Sequence, residues 1–372
     1  MKRRIVISAV NFFQAGPLSI YRDALAELSR NFSDRYEVVA LVHRKELFDV
    51  PNIQLIEYPE IRSSWLRRIK FEYYDLRKIS RELNAFLWLS LHDMSPRVTA
   101  KIQAVYCHNP TPFAKLKKSD VLYNWRYSLF VLLYRHLYRI NIHRNDFVIV
   151  QQDWMRNRFR EMYGVENVVV AHPRTEEAGA PDSERSTALS SGGNFVFFYP
   201  AFPRTFKNIE ILLQAAELLK RDSIEIWLTL SGEESRYARS LSGRTRSLPN
   251  IKLLGRLTRE QVSERYDAAD CLIFPSRLET WGLPISEFKR TVKPMLLADL
   301  PYAHETLGTY GWAHFFDPND PGKLAQLMRA VAQGNLPKAP TTAAAIAAPF
   351  AADWHELFNI LLKIDPSARP KR

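Results

Sequence analysis

Two doubly wound α/β domains, each built on a parallel sheet, are what the sequence predicts, and three observations predict them. Short apolar runs rich in β-branched residues alternate with helix-length stretches, the pattern of strands joined through crossover helices. One segment without apolar periodicity, "PRTEEAGAPDSERSTALSSGGN" (173–194), interrupts the alternation and carries the Pro, Gly, Ser and charge of an interdomain linker. The 372 residues also exceed what one hydrophobic core usually serves.

In the first half, "RIVISAV", "YEVVALV", "IQLIEYP", "FLWLSLHD", "IQAVYCHNP", "DFVIVQQ" and "NVVVAHP" read as strands, with helices from Ser19, Trp65, Asp120 and Trp154. In the second half the strands are "NFVFFYP", "IEIWLTLSG", "NIKLLG", "CLIFPS" and "KPMLLAD". Helices are expected at 207–220, between the next two strands, at 259–268, from Pro284, and at 322–332. The expected division is an N-terminal domain over 1–175, a linker over 176–193, a C-terminal domain over 194–345, and a closing helix ("DWHELFNILLK") with a tail over 346–372. Two such domains joined by a linker are expected to form a cleft. Ligands of these sheets bind beyond the carboxyl ends of the strands, so strand-end residues are the candidates for chemistry.

The net charge of +12 is unevenly spread: residues 1–175 hold 28 Lys and Arg against 17 Asp and Glu, the remainder 24 against 23. Stretches 62–83 and 113–144 interleave cations with Trp, Tyr, Phe and Leu. Such mixtures suit an ordinary amphipathic helix with a solvated basic face, and also an interfacial helix at an anionic bilayer. Nucleic acid would explain the charge, but no RNA-recognition signature or zinc-finger spacing accompanies it. Cys107 and Cys271 are the only cysteines, which argues against a disulfide framework and fits a reducing, cytoplasmic setting. The apolar run after Met1 is too short for a signal peptide, and no run approaches the roughly 20 residues of a membrane span.

The stretch "RLETWGLPISEFKR" (277–290) follows the strand "CLIFPS" directly and places Glu279 and Glu287 around a tight turn. Pro284 suits an early helical position, and Gly282 a bend or a close backbone approach. Backbone amides at such a helix start favour an anion. Glu287 can be read as a simple helix-start carboxylate, whereas Glu279 has no evident structural task. A carboxylate beside a phosphate repels it, so both are better suited to accept hydrogen bonds from sugar hydroxyls.

"FPSRLETWGLPISEFK" resembles the Glu-x7-Glu signature of retaining glycosyltransferases of the GT-B fold, group 1 or family 4 type. The likeness extends to "TFKNIEILLQAAELL", "IWLTLSGEE", "NIKLLGRLTREQVSERYDAADCLIFPS" and "KPMLLADLPYAHETLG", and more weakly to "FFQAGPLSIYRDAL" and "VYCHNPTPF", which look like surface-polysaccharide members. It implies two Rossmann-like domains and transfer of a hexose or deoxyhexose from a nucleotide-diphosphate sugar. Glu287 would hold the donor ribose, and Glu279 would lie by the transferred sugar. The backbone of Thr280, Trp281, Gly282 and Leu283 would meet sugar hydroxyls and diphosphate. Lys207, with Arg204 as candidate partner, would neutralise the diphosphate, while Gly16 would approach the donor and Gly255 would lie near the base. His108 resembles the family histidine that reaches the reacting sugar. His92 and Asp93, and less directly Asp153 and Trp154, are candidates for the acceptor; His172 reads as a structural residue at the linker edge. With no Asp-x-Asp motif, transfer without a metal or other cofactor is expected, with retention at the anomeric carbon. The implied acceptor is an oligosaccharide or lipid-linked glycan of O-antigen or exopolysaccharide assembly, at the inner face of the plasma membrane through peripheral contact with anionic lipid. A GT-B nucleotide-sugar epimerase or phosphorylase, or a basic nucleic-acid-binding protein, is the alternative.

Overall fold

The computed structural model describes residues 2–13, 15–116, 118–173, 193–339, 343 and 345–363. The chain forms two compact units: Met1–Phe113, Leu132–Arg174 and Ile346–Arg372 make the first, Ala114–Val131 and Thr175–Ala345 the second. The linker expected over 176–193 lies outside the described residues except for Gly193.

The elements follow in chain order. They are β1 (Arg3–Ser8), α1 (Ala15–Asn31), β2 (Tyr36–Val42), β3 (Ile53–Glu57), α2 (Trp65–Lys70), α3 (Leu76–Leu83), β4 (Ala85–Ser90), β5 (Ala100–Cys107), α4 (Lys118–Arg139), β6 (Phe147–Val150), α5 (Asp153–Tyr163) and β7 (Val168–Ala171). The second unit's run is β8 (Phe195–Tyr199), α6 (Ile209–Leu218), β9 (Ile224–Leu228), α7 (Arg236–Thr245), β10 (Ile251–Leu253), α8 (Arg259–Ala268), β11 (Cys271–Phe274), α9 (Leu283–Phe288), β12 (Met295–Ala298), α10 (Pro301–Leu307), β13 (Ala313–Phe316) and α11 (Pro321–Ala332). Last come β14 (Phe350–Ala351) and α12 (Trp354–Leu362).

The first unit's sheet has eight strands in the order β14-β7-β6-β5-β4-β1-β2-β3, the second's six in the order β10-β9-β8-β11-β12-β13, and the pairings are parallel. Every side chain of β4, β6, β7, β8, β11 and β12 is buried, which is why these strands read as continuous apolar runs rather than alternating ones. Helix starts follow local chemistry. Ser64 caps α2, Thr258 and Gln261 form a reciprocal capping box on α8, and Asp320 and Asp353 cap α11 and α12.

Some expectations change. The first helix starts at Ala15, not Ser19, and β13, β14 and α10 were not anticipated. The closing helix α12 packs with β14 into the first unit, where Trp354, Leu357, Phe358 and Leu361 join its core. Residues 114–131, expected within the N-terminal domain, cluster with the second unit. There Tyr123 lies 3.1 Å from Ser240 Oγ and the Tyr127 ring 6.0 Å from that of Phe206.

Candidate active site

In the second unit, β11 ends at Phe274 and the chain bends through Arg277–Gly282 into α9. Gly282 has φ +86°, which makes glycine the residue the backbone requires, and a Cβ there would also crowd Ile285 Cδ1 at 3.3 Å. α9 has six residues with Pro284 in its first turn. Leu283 is exposed, whereas Trp281 is buried and bonded, its Nε1 donating to Ser286 Oγ at 2.9 Å while its carbonyl accepts the Thr306 hydroxyl. The Trp281 side chain is therefore part of the packing behind the turn, and its carbonyl is occupied. Thr280 is half-buried in the bend.

The loop after β8 meets this turn. Residues Thr205–Lys207 make one turn of 3-10 helix, tied by donation from Arg277 N to Phe206 O at 2.7 Å and from Tyr199 Oη to Lys207 O at 3.1 Å. Lys207 Nζ then lies 2.5 Å from Glu279 Oε1, both side chains largely buried, with the ammonium 5.6 Å and 5.9 Å from the ring centroids of Phe206 and Phe274. Two stretches 72 positions apart thus bring one cation and one carboxylate together. Burial, then the Glu279 charge, pushes the hydroxyls of Tyr199 and Tyr302 up, which keeps both neutral as they donate to the Lys207 and Ser276 carbonyls. Arg204 is not drawn in: it is exposed and its guanidinium stacks over Phe202 at 5.5 Å.

Glu287, on α9, accepts from Tyr266 Oη at 2.9 Å. Burial, then this carboxylate, raises the Tyr266 hydroxyl well above its usual value, so it remains a donor that orients Glu287. Gly255 follows β10 with φ +70°, its amide donating to Leu230 O at 3.3 Å. Tyr266 and Tyr199 escaped sequence reading because buried tyrosines on a helix face or a strand look like core residues; the only signal was an aromatic content of 12%.

In the first unit, the carboxyl ends of β1, β4 and β5 surround a cavity of about 360 Å³ lined in part by Asn11, Phe12, Arg68, Asp93, His108 and Tyr134. His108 Nε2 is 3.7 Å from Asp93 Oδ2, and its ring meets Phe12 edge-on at 5.3 Å. Asp93 has φ +67° and accepts from the amides of His108 (2.8 Å) and Asn109 (3.1 Å) and the hydroxyls of Tyr138 (2.8 Å) and Tyr134 (3.3 Å). A non-glycine held in this left-handed region by so many bonds marks a site the fold over-determines. His92 is placed otherwise than expected: it is fully buried, Nδ1 3.0 Å from the Ser8 carbonyl and Nε2 2.6 Å from Glu72 Oε1, which leaves no surface for an acceptor. Gly16, expected in a loop after β1, lies exposed in the first turn of α1 with open space where a Cβ would stand. Asp153 is bonded to Arg156, Trp154 Nε1 donates to Gln152 Oε1, and His172 is held beside β14, all in structural roles.

Comparison with known proteins fits this architecture. Residues 180–345 match the family model described as glycosyl transferases group 1. The serotype-specific mannosyltransferase WbdA of Escherichia coli is 28% identical over 154 residues, 40% of this chain and 18% of that protein, so the chain spans under a fifth of that relative's length. Among solved structures, WaaG, a glycosyltransferase involved in lipopolysaccharide biosynthesis, superposes with a TM-score of 0.60 at 14% identity over 88% of this chain and 90% of that one. HepE of Anabaena in complex with UDP and glucose gives 0.58 at 14% identity over 92% and 93%. The two parallel-sheet units have a GT-B fold, and residues 180–345 are similar to group 1 glycosyl transferases.

Proposed function

We propose that the protein is a retaining, metal-independent glycosyltransferase that moves a hexose or deoxyhexose from a nucleotide-diphosphate sugar onto a growing, lipid-linked surface polysaccharide. The observation that carries this is the meeting of Lys207 with Glu279 beside the Gly282 turn. The leaving group of such a donor is a nucleoside diphosphate, so negative charge grows on the β-phosphate as the sugar departs. Lys207 supplies a preorganised cation for it, already held in a poorly solvated place where it counts for more than in water. On donor binding the ammonium turns from Glu279 to the phosphate, and Glu279 is released to accept from sugar hydroxyls. Glu287, oriented by Tyr266, keeps one oxygen for the ribose. His108 and the cavity of the first unit take the acceptor side of the reaction. In front-face transfer a leaving phosphate oxygen accepts the acceptor's proton, which requires no Ser-His-Asp constellation. The part of WaaG in lipopolysaccharide biosynthesis supports the surface-polysaccharide assignment, the mannosyltransferase WbdA supports transfer of a hexose, and the UDP and glucose in HepE support a nucleotide-sugar donor.

The first unit also presents Trp65, Leu66 and Ile69 to solvent on α2, interleaved with Arg67, Arg68 and Lys70. We assign this face to an anionic bilayer surface, where the acceptor lipid resides. Among the described residues no helix is long and apolar enough to cross a membrane.

The test is a thermal-shift panel of UDP, GDP and dTDP with their sugars. One nucleotide should stabilise the wild type, and Glu287→Ala and Lys207→Ala should each remove most of that shift. No shift with any nucleotide, or an unchanged shift in both variants, sinks the proposal. Turnover abolished by EDTA and restored by a divalent ion would refute the metal-independent step, and donor consumed without acceptor would favour an epimerase or phosphorylase.

A further inference from the structure

We infer that the cavity of the first unit receives a phosphoryl group carried by the acceptor and that Arg68 is the residue that selects it; this rests on the acceptor role proposed above. Arg68 lies in the last turn of α2 and lines the cavity. One of its Nη groups donates to the His92 carbonyl at 3.2 Å, while Nε is buried with no hydrogen-bond partner among the described residues. Its natural neutralising partner on a helix is Glu72, four positions on. That pair does not form. At Phe71 the helix widens into a π turn (Phe71–Asp75), a deformation common beside functional sites, and Glu72 is turned into the interior. There its Oε1 lies 2.6 Å from His92 Nε2. His92 Nδ1 donates to the Ser8 carbonyl, which can only accept. Glu72 therefore faces His92 and not Arg68, whose charge is left to the cavity.

Two further polar atoms of the cavity wall, His108 Nδ1 and Asn11 Oδ1, are buried without a hydrogen-bond partner among the described residues. The imidazole can donate beside the guanidinium, and the amide oxygen can accept a sugar hydroxyl. Asp93 is the carboxylate of the cavity and opposes an anion. Its charge is held by two amides and two tyrosine hydroxyls, both of the latter pushed up by burial and then by Asp93. A half-buried guanidinium with free donors and no ion pair among the described residues is matched in geometry by a phosphoryl oxygen pair. The same helix supplies the apolar neighbourhood, since Arg68 also lies over the Trp65 ring at 5.3 Å. A phosphoryl group with an apolar tail fits both faces of α2.

Titration calorimetry of the full chain with geranyl diphosphate tests this. The wild type should bind, Arg68→Gln should weaken binding at least tenfold, and Arg68→Lys, which keeps the charge but not the fork, should fall between. Lys101→Gln, at the amino end of β5, controls for net charge and should bind as the wild type does. Inorganic pyrophosphate with the same Arg68 dependence and equal affinity identifies a free phosphoryl ligand, tighter geranyl diphosphate a lipid-borne one, and both outcomes support the assignment. Equal affinity in the wild type and Arg68→Gln, an equal loss in Lys101→Gln, or equally tight, Arg68-dependent binding of glucuronate overturns it. Melting curves show whether Arg68→Gln folds. Nucleotide shifts separate the two proposals, since a wild type with no nucleotide response sinks the transferase reading, whereas a wild type that responds to nucleotide while Arg68→Gln leaves diphosphate affinity unchanged sinks only this one.

Discussion

At the scale of single residues, the second unit keeps its charges where water is scarce and neutralises them locally. Glu279→Gln removes the partner of Lys207 without changing shape. The freed ammonium should bind the nucleoside diphosphate several-fold more tightly, while kcat falls by roughly 10- to 100-fold because the sugar hydroxyls lose a charged acceptor; titration calorimetry and initial rates read the two effects separately. Gly282→Ala forces a side chain into φ +86° against Ile285 and should cost about 1–3 kcal/mol, read as a lower Tm of the second unit. Lys289, just beyond α9, donates to Thr306 O at 2.5 Å, and burial pulls its ammonium from 10.5 down to about 8. Between those values the unfolded chain holds the extra proton, so stability rises as pH increases from about 8 toward 10.5, and the penalty is complete below about 8. Lys289→Met should therefore differ from the wild type by an amount that changes between pH 7 and pH 10 and is flat below pH 7, as thermal melts across that range will show.

At the scale of elements, periodicity told helix from strand but not where a helix changes its winding. The α2 sequence predicts an exposed basic and aromatic helix, and Trp65 is 50% and Leu66 78% exposed. The π turn that follows coincides with tertiary contacts, since Glu72 lies inside against His92, 20 residues on, and its carbonyl accepts from the Arg97 amide. If the α2 face meets a bilayer, Trp65→Ser with Leu66→Ser should remove most sedimentation with vesicles containing phosphatidylglycerol while leaving the Tm unchanged, since neither side chain is in the core. Binding by the wild type should also weaken as salt rises, because Arg67 and Lys70 act on a screened surface potential. Sedimentation indifferent to anionic lipid would refute the assignment. α8, by contrast, was legible at both ends, since Thr258 and Gln261 write its start into the sequence and Ala269 follows its last residue.

At the scale of the whole molecule, the chain's end belongs to its beginning. β14 pairs with β7, Arg156 donates to Ala347 O at 2.8 Å, and Trp354, Leu357, Phe358 and Leu361 fill the first unit's core. At about 1.5–3 kcal/mol for each buried large side chain, these four contribute roughly 6–12 kcal/mol, comparable with the whole stability of a domain. Deleting 346–372 should therefore unfold the first unit and leave the second folded, visible as loss of one calorimetric transition while a nucleotide-dependent transition survives. By itself the sequence determined two parallel α/β units, nearly every strand, and the stretches around Lys207, Glu279 and Glu287, because period, β-branching and turn residues are local properties of a chain. Only the tertiary structure decided that Lys207 reaches Glu279 while Arg204 does not, that His92 is interior while Arg68 faces a cavity, and that residues 114–131 and the C-terminal helix join units their sequence positions do not suggest. Those outcomes depend on which side chains meet across tens to hundreds of positions, and burial and charge are set by that meeting, not by the residues taken one at a time.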